Sequence, residues 1–216
     1  MPTATESIHA FLKARATPAN ADLVEWALLP GMELQANMAA GKGYPVEGRR
    51  STWTDGVDTW WNIRIPKNAA TEPTWNDYEM TFPLDLHCEG VGLTGWNWQE
   101  RRSKFVGFDI DSLLSHAAGV GISDEQLEKV KETALALPYI QVRRSTGGNG
   151  IHLYCYLDDI PTQTHTEHAA LARCVLGMMS SETGFDFASH IDACGHVMWV
   201  WHRKMNAENH GLEIIK

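Results

Sequence analysis

Along the chain, the spacing of apolar positions changes several times, and each change marks an element. From Thr5 to Arg15, Ile8, Phe11 and Leu12 fall on one helical face, and a second helix is predicted from about Asn20 to Leu29, where Pro30-Gly31 stops it. The period then becomes two: Met32, Leu34, Ala36 and Met38 alternate with Glu33, Gln35 and Asn37, and Trp61, Ile63 and Ile65 alternate with Asn62 and Arg64. A polar segment containing Gly41, Gly43, Pro45, Gly48 and Gly56 separates these runs, so they read as a long hairpin with an elaborate tip. The stretch from Pro66 to Pro83, rich in Asn, Thr and Pro, reads as a surface connection and as the hinge between two sub-lobes.

The second half is denser in signals. Gly90 to Trp96 reads as a short strand entering a turn, and the basic loop Arg101-Arg102-Ser103-Lys104 feeds the strand Phe105 to Asp111. Past a Gly-rich break at Gly119 and Gly121, Ser123-Asp124-Glu125-Gln126 has the spacing of a capping box. Leu127, Val130, Ala134 and Leu137 form the buried stripe of the helix that follows, which Pro138 ends. Tyr139 to Ser145 and Ile151 to Leu157 are predicted strands around a tight turn at Gly147 to Gly150, a third helix spans about Thr166 to Ser181 and closes at Gly184, and His196 to His202 is a very apolar strand. Strand, helix, hairpin, helix, strand, strand predicts an α+β sheet with helices on one face and the other face free for chemistry.

Within this frame, Phe105-Val106-Gly107-Phe108-Asp109-Ile110-Asp111 stands out. Alternation sends Val106, Phe108 and Ile110 into a core and sets Asp109 and Asp111 together on the opposite face. Two carboxylates one pleat apart repel unless a proton or cation sits between them. That makes the pair a divalent-metal candidate, the competing reading being solvated carboxylates at the start of a helix near Ser112. Asp192, after Ile191 and before a Gly turn and an apolar strand, is a third carboxylate for the same sheet; Asp186 competes for that place but has no strand behind it. Three carboxylates suit two Mg²⁺ or Mn²⁺ ions, hard cations that prefer oxygen ligands.

The stretch Ser145-Thr146-Gly147-Gly148-Asn149-Gly150-Ile151-His152 supplies a complementary feature. Glycines such as Gly147 and Gly148 allow close approach to bare backbone amides, as a phosphate cradle requires, although a hairpin turn needs them too. The core face of the return strand takes Ile151, Leu153, Cys155 and Leu157, which sets His152, Tyr154 and Tyr156 on the other face. Ser145 would share a face with Arg143 and Gln141, so an imidazole, a hydroxyl and a guanidinium are expected to converge over the turn as donors to a triphosphate.

Phe-Asp-Ile-Asp, then Ser-x-Gly-Gly-x-Gly-x-His, then Ile-Asp before an apolar strand resembles, in order, the three motifs of the archaeo-eukaryotic primase superfamily, and its primase-polymerase branches in particular. The resemblance covers roughly residues 90 to 210. It implies an N-terminal α/β lobe (about 1–90) packed on an RRM-like lobe (about 91–216) within one catalytic domain, the active site lying in the groove between them. It also implies that Asp109, Asp111 and Asp192 bind the catalytic metals and that Ser145 and His152 hold the triphosphate of an NTP or dNTP. Arg203 and Lys204 look like the basic residues the family places on nucleotide phosphates, though the usual Arg-x-Pro-x-Ser pattern is missing. The expected partners are a single-stranded DNA template and primer, with a helicase or other replication domain in the full-length chain. The rivals are a metal-dependent nuclease or phosphohydrolase, for which the Ser145–His152 loop would be superfluous, and a non-catalytic RRM-like binding module with Tyr154 and Tyr156 as stacking platforms.

Composition adjusts this picture modestly. The chain has 216 residues, 44% hydrophobic and 21% charged, enough for a sizeable core. Its nine Trp are more than usual and are read chiefly as packing residues. A net charge of −9 argues against a surface coated for nucleic acid, but Arg49, Arg50, Arg64, Lys67, Arg101, Arg102, Lys104, Arg143, Arg144, Arg203 and Lys204 are clustered, so a local basic cleft on an acidic body is expected. Cys88, Cys155, Cys174 and Cys194 contain no C-x-x-C, which fits a reduced, cytoplasmic setting. Nothing approaches the ~20 apolar residues of a membrane span. Cys194, His196 and His202 would share one side of a strand close to His190, yet their spacing matches no standard zinc pattern, and zinc is not expected. The ending Gly211-Leu212-Glu213-Ile214-Ile215-Lys216 has no polar tail and suggests a domain cut from a longer protein.

Overall fold

A computed structural model describes residues 4–38, 50–52, 59–63, 88–110, 122–189, 191 and 197–216. Two short helices open the chain. α1 (Ala4–Lys13) buries Ile8, Phe11 and Leu12, and α2 (Ala21–Ala27) buries Leu23, Val24 and Ala27. Asn20, itself buried, ties the turn between them to the far end of the chain by donating from Nδ2 to the Val200 carbonyl at 2.9 Å. The chain then enters β1 (Met32–Met38), β2 (Arg50–Thr52), β3 (Thr59–Ile63), β4 (Cys88–Asn97) and β5 (Arg102–Ile110).

In α3 (Asp124–Ala136) the capping box forms as its spacing predicts: Ser123 Oγ accepts from the Gln126 amide and the Gln126 side chain accepts from the Ser123 amide. The hairpin β6 (Ile140–Arg144) and β7 (Ile151–Pro161) follows, then α4 (His165–Thr183), capped by Thr164 Oγ1 and ended by Gly184 at φ 68°, and then β8 (Met198–His202). The described strands make one antiparallel sheet of eight in the order β2-β3-β1-β4-β5-β7-β6, with β8 paired to β4. The expected sub-lobe boundary near residue 90 falls inside β4, so a single sheet runs through both halves of the chain.

Strand period decides which side each residue serves. Val106, Phe108 and Ile110 of β5, with Ile151, Leu153 and Cys155 of β7, meet Leu127, Val130 and Ala134 of α3 and Val175, Leu176 and Met179 of α4 in one core. A second core lies on the other face, where α1 and α2 pack on Leu34, Ala36, Val91, Leu93, Phe105, Tyr154, Met198 and Val200. This corrects the expectation of a face left free: helices cover both sides, because Phe105 and Tyr154 need apolar cover as much as Val106 and Leu153 do. β4 and β5 pair only at Trp96↔Ser103 and Asn97↔Arg102, while β8 pairs with β4 at Gly90 to Leu93 and brings Met198 against Gly107. A Cβ at Gly107 would collide with Met198 Cγ, so this close approach requires the glycine.

The segments expected to form the hinge (66–83), the Gly-rich break (119–121) and the hairpin tip (41–49 and 53–58) lie outside the described residues.

Candidate active site

The register of β5 on β7 pairs Asp109 with His152, and the register of β6 on β7 pairs His152 with Arg143. A carboxylate, an imidazole and a guanidinium therefore stand side by side across three strands, on the face opposite the Val106–Phe108–Ile110 stripe. His152 is buried, and its Nε2 lies 3.3 Å from Asp109 Oδ1, whose side chain is 30% exposed. The other ring nitrogen, Nδ1, is buried with no hydrogen-bond partner among the described residues. An orphaned buried group of this kind costs about 1–3 kcal/mol, a cost also carried among the described residues by Glu33 Oε1 and Tyr154 Oη.

Ser145 is buried and closes the turn. Its Oγ accepts from the Gly150 amide at 3.0 Å, its amide donates to the Gly150 carbonyl at 2.9 Å, and its carbonyl accepts from the Gly148 amide at 3.0 Å. The two glycines between them serve different ends. Gly148 sits at φ 83°, and a Cβ there would meet the Asn209 carbonyl at 2.8 Å, so the backbone fold itself demands it. Gly147 has open space around its Cβ position and a φ outside the left-handed region, so nothing in the turn's own packing calls for glycine there.

Arg143 does not join a donor set over the turn. It is fully buried and pointed into the molecule: Nη1 donates to the Ala19 carbonyl at 2.9 Å, Nε to Gln141 Oε1 at 2.7 Å, and Nη2 to Asp22 Oδ2. The loop before α2 and its first turn supply this carbonyl and acid, which makes Arg143 a tie between α2 and the sheet. Tyr154 and Tyr156 are likewise not platforms for bases. Tyr154 is fully buried, and burial pushes its phenol well above the ordinary value; Tyr156 is half-buried and donates to Gln141 Oε1 at 3.0 Å.

The remaining expected residues divide between those the structure places and those it does not describe. Asp111, Asp192, His190, Cys194 and His196 lie outside the described residues, as do Arg49, Arg64 and Lys67. Arg203, exposed at the end of β8, pairs with Glu89 through Nε, and its amide donates to the Glu89 carbonyl at 2.9 Å. Lys204 is exposed beside it; its amide donates to His202 Nδ1, and burial followed by the charges of Lys204 and Arg203 pushes His202 down to about 4. In the basic loop, Lys104 is buried between Glu100 at 2.5 Å and Asp159 at 2.7 Å, so it balances local acids instead of projecting to a phosphate. Among the described residues no group of three His, Cys, Asp or Glu is arranged to hold a metal; Asp109 is the one expected carboxylate ligand they include.

Sequence reading also misses a second polar cluster. Alternation sets Glu33 on the polar side of β1, yet it is buried, accepting from Thr94 Oγ1 at 2.9 Å and lying 3.2 Å from His165 Nε2. His168 bridges the Thr94 carbonyl and Ser103 Oγ, each at 2.8 Å, and Ser103 Oγ also meets Thr162 Oγ1 at 2.8 Å. The pair His165 and His168, three apart at the start of α4, is the available signal: one helical face carries two imidazoles toward the sheet. The members of the cluster bond to one another in the interior, and it reads as framework.

No protein-family model matches the chain, and no curated protein matches it.

Proposed function

We propose that the chain is a template-directed nucleotidyltransferase, a DNA-dependent primase-polymerase domain of the archaeo-eukaryotic primase type, adding NTPs or dNTPs with two divalent ions. The observation that carries this reading is the juxtaposition of Asp109 and His152 on neighbouring strands, with an orphaned imidazole nitrogen, beside a turn that Ser145 closes. Two separate sequence motifs meet there, and a nuclease has no use for the second. The buried tyrosines count against a surface that only binds RNA or DNA by stacking.

In this reading Asp109, with Asp111 and Asp192, would hold Mg²⁺ or Mn²⁺, ions that neutralise the phosphates and the leaving pyrophosphate. Asp109 also stands against the Nε2 side of the His152 ring, which fixes the ring and leaves Nδ1 as the ring atom turned to the nucleotide. Ser145, already accepting from Gly150, keeps its own hydroxyl proton for donation, and the open side of Gly147 lets a phosphate approach the backbone. Catalysis would then come from positioning and charge neutralisation.

The test is to incubate the purified chain with single-stranded template, Mn²⁺ and labelled nucleotides, with and without primer, beside the double variant Asp109→Ala/Asp111→Ala. The expected result is product longer than the input with the wild type alone, while both proteins bind template equally. Shortened template would favour the nuclease, and no product with intact template binding would favour the binding module; either defeats the proposal.

A further inference from the structure

A cavity of about 730 Å³ opens on the side of the molecule where α1 meets the end of β8. Its walls are the α1–α2 loop, including Arg15 and Ala19, the indole of Trp201, and the segment 205–214 with Met205, Ala207 and Ile214. The volume suits a small organic ligand, and the lining is mostly apolar with a few polar groups at the rim.

Three features identify what would fit. First, the indole of Trp201 is half-buried: Phe11 meets it edge-on at 4.9 Å, and the Arg15 guanidinium stands 5.4 Å from its centroid and 3.7 Å from that of Phe11. A planar ring stacking here would have both an aromatic face and a guanidinium plane to lie against. Second, the lining carries the carboxylate of Glu213, which His210 approaches at 3.7 Å, as well as the Arg15 cation, so the rim suits a neutral ring with donors and acceptors on its edge better than a run of phosphates. Third, the wall is strained. His210 at φ 53° and Leu212 at φ 63° both hold the left-handed region, and Leu212 does so while fully buried. Such strain persists only where the surroundings enforce it, and it gathers at ligand sites. The same wall supports the glycine turn from behind: Asn209 Nδ2 donates to the Thr146 carbonyl at 3.0 Å, Gly148 packs closely on Asn209, and Gly211 on the Thr146 carbonyl.

We propose that this cavity is a base-binding site, taking a nucleobase stacked on Trp201 on the far side of the 205–211 wall from the Ser145–His152 turn. The base comes from a free nucleotide or from a nucleic-acid strand. The proposal rests on the nucleotide-handling reading above, and its test is kept separate from catalysis.

The probes are 2-aminopurine riboside triphosphate and a single-stranded DNA oligonucleotide carrying one 2-aminopurine, a base whose emission is quenched when it stacks on an indole. Wild type is expected to quench at least one probe in a saturable titration, and the pair of probes tells a free nucleotide from a strand. Trp201→Leu should remove the quenching and weaken binding by about 5- to 150-fold, the range one base stack supplies. Ala207→Leu, at an exposed turn position, narrows the cavity without touching the core and should weaken binding in the same direction; it decides alone if Trp201→Leu does not fold. No quenching of either probe by wild type, or an Ala207→Leu titration that superimposes on wild type, overturns the site. Quenching that depends on Trp201 and Ala207 in a chain that makes no polymer would sink the catalytic reading and leave the base site standing.

Discussion

Replacing Arg143 by Met is the sharpest test of how the two halves of the chain are held. The substitution keeps the apolar stem and removes a guanidinium that is fully buried and bonded to the Ala19 carbonyl, Gln141 Oε1 and Asp22 Oδ2. Truncating one partner of a buried ion pair costs about 3–5 kcal/mol when the other charge is left stranded. Here the Asp22 side chain is 42% exposed, so water recovers much of its solvation and the electrostatic part must be discounted. The Ala19 carbonyl and Gln141 still lose a charged donor, at roughly 1 kcal/mol each. A net loss of about 2–4 kcal/mol follows, and with a urea m-value of ~2–3 kcal/mol/M for a chain of this size the midpoint should fall by about 1 M. Asp22→Asn leaves the fully buried guanidinium two neutral acceptors but no counter-charge, and by the same rule should cost at least as much, about 3–5 kcal/mol. The double variant should fall short of the sum by at least ~0.5 kcal/mol, because the two residues share one interaction. Equilibrium urea unfolding measures all three. A midpoint shift under about 0.2 M for Arg143→Met, together with a raised nucleotide KM, would refute the framework role and return Arg143 to the phosphate site.

Two further expectations concern the interior and the backbone. Burial pushes His168 down to about 4, with the neighbouring His165 adding to the effect against the favourable bond to the Thr94 carbonyl, and His202 is held equally low. An unfolded histidine near its ordinary value of about 6.5 takes up a proton that the folded protein refuses, so stability should be full above about pH 6.5 and fall progressively as pH drops toward about 4. Urea midpoints across that window should show the fall, His168→Gln should flatten it, and an imidazole proton of His168 titrating near the ordinary value in the native protein would contradict the reasoning. The two glycine variants should separate backbone need from ligand need. Gly95→Ala drives a Cβ into the Phe105 carbonyl at φ 86° and should cost at least about 2 kcal/mol, whereas Gly147→Ala should change stability by less than ~1 kcal/mol and raise nucleotide KM; unfolding curves and steady-state kinetics decide each.

What the sequence makes legible is what local physics governs. The Ser123–Gln126 capping box, the Leu127–Val130–Ala134 stripe, the Gly184 stop and the alternation of β7 all form where period and cap chemistry put them, because each depends on residues a few positions apart. The faces that Asp109 and His152 take are legible one step further on, since each strand's core stripe fixes them; that β5 lies beside β7 is not, because a helix and β6 intervene in the chain. The errors lie where a partner is distant in sequence. Arg143 finds its acid in Asp22, 121 residues away, and Glu33 is buried because α4 brings His165 onto β1. Alternation marks a residue as off the core stripe; it does not say whether water or a helix will cover that side, and here α1 and α2 cover it over Phe105 and Tyr154.

These distant pairings also revise the electrostatics of the proposed site. A chain of net charge −9 is expected to concentrate its cations in a cleft if it handles phosphates. Among the described residues those cations are largely committed elsewhere: Arg143 to Asp22, Arg203 to Glu89, Lys104 to Glu100 and Asp159, Arg144 to Glu213. Diverting any of them to a phosphate would strand a carboxylate, and that loss would offset part of the attraction to the phosphate. On the primase-polymerase reading, a triphosphate at the Ser145–His152 turn is therefore met chiefly by neutral donors, namely the backbone around Gly147 and the Ser145 hydroxyl, with the His152 ring beside them and the charge itself left to the divalent ions that Asp109 helps to hold. Asp109 then carries two tasks at once, fixing the imidazole and recruiting the cation. Its loss should accordingly be felt in nucleotide binding as well as in turnover, whereas loss of His152 should leave the cation in place.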